Sequence, residues 1–393
     1  MARILHVSCD FPDVFQPNKT QAIKRLVDGT PEHQHFVYSL NRVDGFSGTE
    51  IMPFADGRFS VAYRAPPKGL FLKSRLESVA GAILKHIAHC KITVDIVHAH
   101  KLTIDGIVGF QIARQLSLPI VFSIQGDTDI KVMNARPDLS SVFSDHVAAS
   151  RRLFPFAPWA VDQVSLKFPG AANKSSLLPV MPADDTLSAG AAVHIPRLVS
   201  IFHLDSWRRK NLSALARSVK LLAQRMPDIR LDIYGGGSPA SFLAAREAVA
   251  EAAAGEYVKF MGPVANSDIK GILKDYAAFV LPTLRESYGL VHAEALFAGL
   301  PILISKHMGI DGILPECSFI KRCNPHSDET VAAGIDELIQ NEVKAKAALE
   351  MAQRNGVLEP IRRSAILQTY REGLRTALNA NHGKLLDPAS STG

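Results

Sequence analysis

The residues with the most evident chemical potential lie between Leu281 and Ser305. The pattern there predicts a strand that ends at Leu281, a loop that carries Glu286, and a helix over Tyr288–Ala298. The first backbone amides of a helix have no acceptor inside it, and a glycine in that turn lets a ligand approach closely. We therefore expect a phosphate-binding cradle on the amides of Tyr288, Gly289, Leu290 and Val291.

Two glutamates flank this predicted cradle. Glu286 precedes it, and Glu294 follows about two turns along the helix. A carboxylate beside phosphates would accept hydrogen bonds from hydroxyl groups, and one acid at each end of a diphosphate suits a ligand with a sugar on one side and a ribose on the other. The spacing alone fits an ordinary helix equally well, with an early acid that stabilises the helix dipole and a second acid that faces solvent.

A glycine-rich loop follows another predicted strand. Its sequence, Gly235–Ala240, formally fits a dinucleotide-binding fingerprint. The acid about twenty residues further on, Glu256, precedes its strand, whereas the acid of the fingerprint should end one. This argues against a nicotinamide cofactor, and we interpret Gly235 and Gly236 as a loop that faces the ligand.

Two histidines raise the question of a metal site. His98 and His100 share one face of a predicted strand and could pair on a metal ion. No third ligand is evident in the sequence, which favours a role in the core or in lining the ligand site. We therefore predict no metal, and we expect His292, in the helix after Glu286, to pack or to support a neighbouring group.

These candidates lie on two series of alternating strands and helices. Short apolar runs rich in β-branched residues alternate with amphipathic stretches, which is typical of parallel sheets covered by helices. The predicted strands are Arg3–Ser8, His35–Leu40, Ile96–His98, Ile120–Ile124, His146–Ala149 and Ser176–Val180 in the first series, and Leu198–Phe202, Ile229–Tyr234, Val258–Met261, Ala278–Leu281 and Ile302–Ser305 in the second.

Helices are predicted between and after these strands. They are Thr20–Asp28, Leu72–His89, Ile104–Gln115, Asn211–Gln224, Ser241–Ala254, Asn266–Tyr276, Tyr288–Ala298, Glu329–Asn341, Val343–Arg354 and Ile361–Leu378. Gly57–Lys68 breaks the pattern at Pro66-Pro67, so we expect a loop or a short antiparallel excursion there.

The loop-like segment Met181–Pro196 separates the two series. We predict an α/β protein with an N-terminal Rossmann-like, doubly wound domain over residues 1–185 and a second over 186–355. Residues 356–393 would add a C-terminal helix, packed back on the first domain, and a flexible tail. Ligands of such sheets bind at the carboxyl ends of the strands, so the two domains are expected to face a central cleft.

Composition excludes several classes of function. The chain of 393 residues is 47% hydrophobic with a net charge of +6, and it has short basic clusters and only 7% aromatic residues, which argues against nucleic-acid binding. The mild positive charge is compatible with phosphate-bearing ligands or an anionic membrane surface. Four cysteines without a paired motif, and the lack of a signal peptide or a membrane-spanning stretch, predict a cytoplasmic protein that could be peripheral on the inner face of the membrane.

The segment from Leu281 to Ser305 resembles the Glu-x7-Glu motif of retaining glycosyltransferases with the GT-B fold, in family 4 (glycosyl transferases group 1). The pattern of Pro-Thr, Glu, Gly, Glu-Ala, Gly-Leu-Pro and an apolar strand is matched in order. Similarity extends to Asp95–His100, Ser144–Ser150, Leu231–Gly237 and Val258–Pro263, and therefore covers most of the chain.

The resemblance implies roles for particular residues. Glu286 would contact the transferred sugar and Glu294 the ribose of the nucleotide, while the backbone after Glu286, including Ser287, would bind the diphosphate. Lys210, preceded by Arg209, fits the position of a cation that stabilises the leaving group. A solvated turn before the next helix is the alternative for this basic cluster.

Three departures from the family pattern affect the predicted site. His203 stands where the family has an arginine at the end of the first strand of its second domain. Gln125 and Gly126 stand where the family has His-Gly, so they would lie on the acceptor side together with His100. The family's Gly-Gly loop is replaced by a loop that contains Lys19, which could supply charge there.

The resemblance implies a retaining glycosyltransferase. The donor would be a UDP- or GDP-linked sugar bound by the second domain, and the acceptor a hydroxyl of a saccharide or of a lipid-linked saccharide in surface polysaccharide or glycolipid biosynthesis. No metal or other cofactor is expected, because helix amides and Lys210 would replace a metal ion at the diphosphate. A non-catalytic GT-B subunit that binds a nucleotide or a partner protein, and another GT-B enzyme such as a sugar-nucleotide epimerase, remain as alternatives.

Overall fold

The computed structural model describes residues 1–45, 48–193 and 196–379, which divide into two compact units. Unit 1 contains Met1–Met181 together with the C-terminal helix from Ser364, and unit 2 contains Pro182–Arg363. The predicted tail from Asn381 lies outside the described residues.

Unit 1 is built on a mostly parallel sheet. Its described strands are β1 (Arg3–Ser8), β2 (Gln34–Val43), β3 (Thr49–Ala55), β4 (Arg58–Arg64), β5 (Ile96–Ala99), β6 (Ile120–Ile124) and β7 (Arg152–Pro155). Their order in the sheet is β3-β4-β2-β1-β5-β6-β7, with β3 antiparallel to β4 and the other pairs parallel. The order reverses between β1 and β5.

Helices cover both faces of this sheet. They are α1 (Ala22–Asp28), α2 (Leu72–His89), α3 (Ile104–Gln115), α4 (Asp127–Ala135), α5 (Ser140–Ala149), α6 (Pro158–Lys167) and α7 (Ala171–Lys174). Successive strand residues face opposite sides of a sheet, so Leu5 packs into the core formed with α2 and α3, while Ile4 belongs to a second core on the other face.

Unit 2 contains a parallel sheet. Its described strands are β8 (Arg197–Ile201), β9 (Arg230–Tyr234), β10 (Val258–Gly262), β11 (Ala278–Val280), β12 (Ile302–Ser305) and β13 (Ile320–Cys323). They are ordered β10-β9-β8-β11-β12-β13, so the order reverses between β8 and β11. In doubly wound sheets, ligands bind at the carboxyl ends of the strands at this reversal.

Six helices of unit 2 and the C-terminal helix complete the described fold. They are α8 (Leu212–Ala223), α9 (Pro239–Glu251), α10 (Ile269–Leu273), α11 (Leu290–Phe297), α12 (Asp328–Gln340), α13 (Glu342–Arg354) and α14 (Arg363–Asn379). α14 returns to unit 1, where Ile366, Tyr370 and Leu374 pack into the core that contains Ile4.

The predicted strand His146–Ala149 is wrong, because this segment is the end of α5. Phe143, His146 and Val147 are buried at helical spacing, and the strand begins three residues after α5 ends, at Arg152. A short apolar run does not distinguish a buried helix end from a strand, which explains the error.

The predicted strand Ser176–Val180 is also wrong. The segment runs beside β7, with hydrogen bonds from Ser176 N–H to Leu153 O and from Leu178 N–H to Pro155 O, both 2.8 Å, and a single bridge at Ser175. Pro179 has no N–H with which to continue the ladder.

Several elements were missed by the sequence analysis. β3 and the helices α4, α6 and α7 were not predicted, and neither was β13. Of the two predictions for Gly57–Lys68, the antiparallel excursion is the better description, because β4 begins at Arg58 and pairs antiparallel with β3.

Candidate active site

Two neighbouring loops of unit 2 carry the main candidate residues. The loop after β8 leads to Lys210, and the loop after β11 leads to Glu286. β8 and β11 pair with each other where the strand order reverses, so the two loops emerge side by side. Leu284 N–H donates to the carbonyl oxygen of Arg209 at 2.9 Å and ties the loops together.

Lys210 and Glu286 form a largely buried ion pair. The Lys210 ammonium donates a hydrogen bond to Glu286 Oε2, and their side chains are 12% and 9% exposed. Burial alone would raise the pKa of Glu286, but the charge and hydrogen bond of Lys210, with smaller effects of His292 and Arg209, hold it below its ordinary value. Glu286 is therefore an ionised hydrogen-bond acceptor.

The position of Lys210 is fixed by the next residue, which the sequence analysis did not single out. Asn211 adopts a left-handed backbone conformation (φ +62°) that asparagine tolerates. Its buried amide donates to Pro282 O at 3.0 Å and to Pro325 O at 2.6 Å. Asn211 thus holds the end of the loop after β8 against the loop after β11.

The turn before α11 depends on Gly289. This residue has φ +78°, and a Cβ atom there would lie 2.5 Å from His292 Nδ1 and 3.2 Å from Glu286 Cγ. Gly289 is the residue preceding α11, and within the described residues no side chain caps this helix terminus. The first-turn amides of Leu290 and Val291 are thus not occupied by a side-chain cap. In α9, by contrast, the amide of Ser241 donates a hydrogen bond to the side chain of Ser238.

The predicted start of this helix at Tyr288 is two residues too early. α11 begins at Leu290, because the left-handed turn at Gly289 interrupts the helical backbone. Tyr288 therefore precedes the helix and is buried. The amide of Ser287 donates to Glu286 Oε1 at 3.1 Å, so the loop backbone helps to orient the carboxylate.

The remaining unit 2 candidates lie on α11 and on the loops after β8 and β9. Glu294 lies on α11 and is partly exposed. His203 is exposed, and its Nδ1 atom lies 3.5 Å from the carboxylate of Asp205. Gly235 and Gly236 allow the loop after β9 to pack against the end of β8. Leu204 N–H donates to Gly236 O at 2.8 Å, and a side chain at Gly235 would overlap Phe202 O.

In unit 1, Lys19 is engaged by the protein itself. Its ammonium donates to Asn41 Oδ1 at 2.8 Å, Ser39 Oγ at 3.2 Å and Leu40 O at 3.3 Å, and Asp13 Oδ2 lies 3.7 Å away. These contacts use the three donors of the ammonium. Lys19 therefore anchors the loop after β1 to the end of β2.

His100, Gln125 and Gly126 lie at the carboxyl ends of adjacent strands, β5 and β6. Gln125 Nε2 donates to the carbonyl oxygen of His100 at 2.9 Å. Gly126 has φ +97°, and a Cβ atom there would lie 2.6 Å from the ring of Trp159. The structure thus brings these three predicted acceptor-side residues together.

His6 joins the two histidines that the sequence analysis considered for a metal. His6 pairs with His98 in the register of β1 and β5, and ring nitrogens of His6, His98 and His100 lie within 4.8 Å of one another in the core. The alternation of side chains along β1 could have identified His6 as a residue of one sheet face. Its proximity to His98 and His100 follows only from the pairing of β1 with β5, which the sequence does not reveal.

The ring nitrogens of this histidine cluster take part in hydrogen bonds. Because Thr30 O can only accept, His35 donates to it through Nε2 (2.9 Å), His6 Nε2 donates to His35 Nδ1 (2.9 Å), and His100 Nε2 donates to His6 Nδ1 (3.0 Å). His98 bonds to Tyr370 Oη and Ser123 Oγ, both at 2.9 Å. Burial lowers the pKa of His98 to about 3 and holds the pKa values of His6 and His100 well below their ordinary value, which favours neutral rings.

A second group missed by the sequence analysis lies where the strand order of unit 1 reverses. Asp10 follows β1 and Lys101 follows β5, and their charged atoms are 2.6 Å apart. Asp105, at the start of α3, accepts from Cys9 N–H at 3.1 Å, whereas its Oδ2 atom has no hydrogen-bond partner in the described part of the chain. Burial raises the pKa of Asp105 to about 7.

Comparison with known proteins gives a family match over much of unit 2. Residues 195–341 match the family described as glycosyl transferases group 1, and this segment contains Lys210, Glu286 and Glu294. The chain is 27% identical over 241 residues to D-inositol 3-phosphate glycosyltransferase of Streptomyces avermitilis, covering 55% of this chain and 51% of that protein. It is 24% identical over 272 residues to sulfoquinovosyl transferase of Arabidopsis thaliana, covering 65% and 49%. The chain thus matches about half the length of these relatives.

Solved structures match over nearly the whole chain. Sucrose-phosphate synthase from Thermosynechococcus elongatus superposes with a TM-score of 0.75 at 17% identity, covering 97% of this chain and 100% of that one. A lipopolysaccharide outer core galactosyltransferase superposes with a TM-score of 0.70 at 13% identity, covering 95% and 99%.

The fold is that of the GT-B glycosyltransferases, as predicted, and residues 195–341 of unit 2 match the family described as glycosyl transferases group 1. Among the described residues, no helix is both long and apolar enough to cross a membrane.

Proposed function

We propose that this chain is a retaining glycosyltransferase that moves a sugar from a nucleotide-diphosphate sugar to a hydroxyl group. The observation that carries the proposal is the buried Lys210–Glu286 pair beside the uncapped start of α11, inside the segment that matches the family. A cation, an ionised acceptor and helix amides together fit a sugar diphosphate better than they fit either a sugar or a phosphate alone.

The donor would bind to unit 2 through four contacts. The amides of Leu290 and Val291 would receive the diphosphate, and Lys210 would neutralise the charge that grows on it as the bond to the sugar breaks. Glu286 would accept hydrogen bonds from the hydroxyls of the transferred sugar. Glu294, further along α11, would accept from the ribose.

The chemistry would proceed on one face of the sugar. The acceptor oxygen forms a bond to the anomeric carbon on the side from which the diphosphate leaves, and the electron pair of the broken carbon–oxygen bond goes to the diphosphate. The leaving phosphate oxygen takes the proton of the acceptor hydroxyl. Retention of configuration follows, and no metal is needed if Lys210 and the amides carry the charge.

The acceptor would bind to unit 1, where the strand order reverses between β1 and β5. Asp10 and the buried Lys101 form an ion pair there, and His100 and Gln125 lie at neighbouring strand ends. A saccharide or lipid-linked acceptor in surface polysaccharide or glycolipid biosynthesis agrees with two of the similar proteins, a sulfoquinovosyl transferase and a lipopolysaccharide outer core galactosyltransferase.

Calorimetric titration with UDP-, GDP- and ADP-sugars tests the donor site. We expect one donor to bind with and without a chelator, and Glu286→Gln to weaken it at least tenfold. Glu342→Gln is the matched control, because Glu342 is also buried and pairs with a lysine of unit 2, Lys346, at 2.7 Å. This control should change donor affinity less than twofold. Absence of binding by every donor would refute the proposal.

A non-catalytic GT-B subunit is the second candidate, because His203 replaces the expected arginine. His203 is exposed and lies beside Asp205, and a histidine lacks the permanent positive charge of an arginine. Donor binding without hydrolysis or transfer, over a panel of saccharide acceptors, would favour this candidate. Transfer with an α-linked product from an α-linked donor, read by NMR, would exclude it.

A further inference from the structure

His292 makes an unusual contact at the start of α11. Both its backbone N–H, at 2.9 Å, and its side-chain Nδ1, at 3.1 Å, bond to the carbonyl oxygen of Gly289. A carbonyl oxygen only accepts, so Nδ1 carries the proton and the neutral ring leaves Nε2 bare. The ring is buried with its edge against Phe279, at a centroid distance of 5.3 Å.

This contact fixes the direction of the first amide of the predicted phosphate cradle. The carbonyl of Gly289 and the N–H of Leu290 belong to the same planar trans peptide, so they point in opposite directions. When His292 holds the carbonyl oxygen from the helix side, the Leu290 N–H must point away from the helix. Gly289 has no side chain and a left-handed backbone, so without this bond the peptide would be less constrained.

The imidazole has one further polar neighbour, the backbone of Leu281, which opposes the lowering of its pKa. Nε2 of His292 is buried without a hydrogen-bond partner in the ranges that the structure describes. Burying an unpaired polar atom is unfavourable, and an apolar side chain packed against Phe279 would avoid that cost. The bond to Gly289, at 3.1 Å, is the side-chain hydrogen bond that leucine could not make at this position.

We propose that His292 is a positioning residue of the donor site, which holds the Gly289–Leu290 peptide so that the Leu290 amide faces the donor diphosphate. The inference rests on the proposed function, since it assumes that a nucleotide diphosphate binds there. Burial lowers the pKa of His292 to about 4, with Glu286 opposing the shift and Lys210 adding to it, so the Nδ1–H donor persists at neutral pH.

Two substitutions separate the hydrogen bond from the packing. His292→Leu keeps an apolar side chain of similar size without the donor, and His292→Asn places an amide N–H near the position of Nδ1. We expect the affinity for UDP or GDP, whichever the wild type binds, to fall about tenfold in His292→Leu and to recover to within about threefold in His292→Asn. Calorimetric titration measures both.

His146→Leu is the matched control. His146 is also buried, its Nδ1 bonds to Leu102 O at 2.8 Å, and its Nε2 has no partner in the described structure, but it belongs to unit 1. This variant should lose stability in urea unfolding while the nucleotide affinity stays within twofold of wild type. If His292 had only a structural role, His292→Leu and His146→Leu would both lose stability and both keep their nucleotide affinity.

Each outcome decides the inference. Unchanged affinity in His292→Leu, or equal weakening in the leucine and asparagine variants, would overturn it while the proposed function stands. Lack of nucleotide binding by the wild type would overturn both. Should the variants not fold, long-range ¹H–¹⁵N NMR of the wild-type imidazoles reads the tautomer directly: an Nδ1–H form supports the inference, and an Nε2–H form overturns it.

Discussion

Replacing Gly289 by alanine tests whether the turn before α11 has the shape that donor binding requires. The new Cβ atom would lie 2.5 Å from His292 Nδ1 and 3.2 Å from Glu286 Cγ, at a backbone φ of +78°. Both neighbours belong to the proposed donor site. The change therefore strains the backbone and pushes on two functional side chains at once.

The magnitude follows from comparison with a second glycine of unit 2. Gly356 has φ +74°, and a Cβ atom there meets no atom of the described chain within 4 Å. A left-handed alanine costs about 1–2 kcal/mol at either position. Crowding in a packed region adds about 1–3 kcal/mol. We therefore expect a loss of about 2–5 kcal/mol for Gly289→Ala and about 1–2 kcal/mol for Gly356→Ala.

Urea unfolding of the free proteins and calorimetric titration with UDP or GDP measure the two effects separately. We expect Gly289→Ala to weaken nucleotide binding at least tenfold, because the amides of α11 that would bind the diphosphate are displaced. Gly356→Ala should bind as the wild type does. Equal stability losses in the two variants, together with unchanged nucleotide affinity in Gly289→Ala, would refute the reasoning about this turn.

Three further predictions address the ion pair and the buried histidines. Lys210→Met should leave Glu286 as an unpaired buried charge and lower the free energy of unfolding by about 3–5 kcal/mol. Adding Glu286→Gln should restore most of the stability but not nucleotide binding. Restored binding in the double variant would contradict the assignment of Lys210 to the diphosphate. Tyr370→Phe should cost about 1 kcal/mol in urea unfolding, because it removes the bond to His98, while nucleotide affinity is unchanged; a loss of affinity would contradict this. Burial lowers the pKa of His98 to about 3 and that of His146 to about 4, below the unfolded value of 6.5, so the unfolded state binds more protons at acid pH. Stability should therefore fall as the pH drops from 6.5 towards 4, less steeply in His146→Leu than in wild type, and equal slopes would contradict the burial argument.

The sequence predicted best the elements whose signal is local. The strand Ile120–Ile124 and the helices Leu72–His89 and Ile104–Gln115 were predicted with the bounds that the structure shows. Each is a continuous run with one periodicity and clear ends. The strand β3, Thr49–Ala55, is largely exposed and contains a proline, so its existence depends on pairing with β4, which a single sequence does not reveal.

In the candidate site, too, contacts that depend on strand pairing could not be predicted from the sequence. The sequence motif identified Glu286 and Lys210 separately, but their ion pair depends on the pairing of β8 with β11, strands about eighty residues apart in the chain. His6 and Asp105 were missed for the same reason, since their neighbours come from other strands. Chemistry carried by one loop was predictable, and chemistry assembled across the sheet was not.

The Lys210–Glu286 pair has a consequence for how a donor would bind. In the free protein each charge is compensated by the other, and separating two buried charges without replacement is unfavourable. A sugar diphosphate supplies both replacements, because its phosphates offer negative charge to Lys210 and its hydroxyls offer hydrogen bonds to Glu286. A nucleotide without the sugar would replace only the first. The pair would therefore favour the intact donor over the nucleotide diphosphate, and Glu286→Gln should reduce that preference.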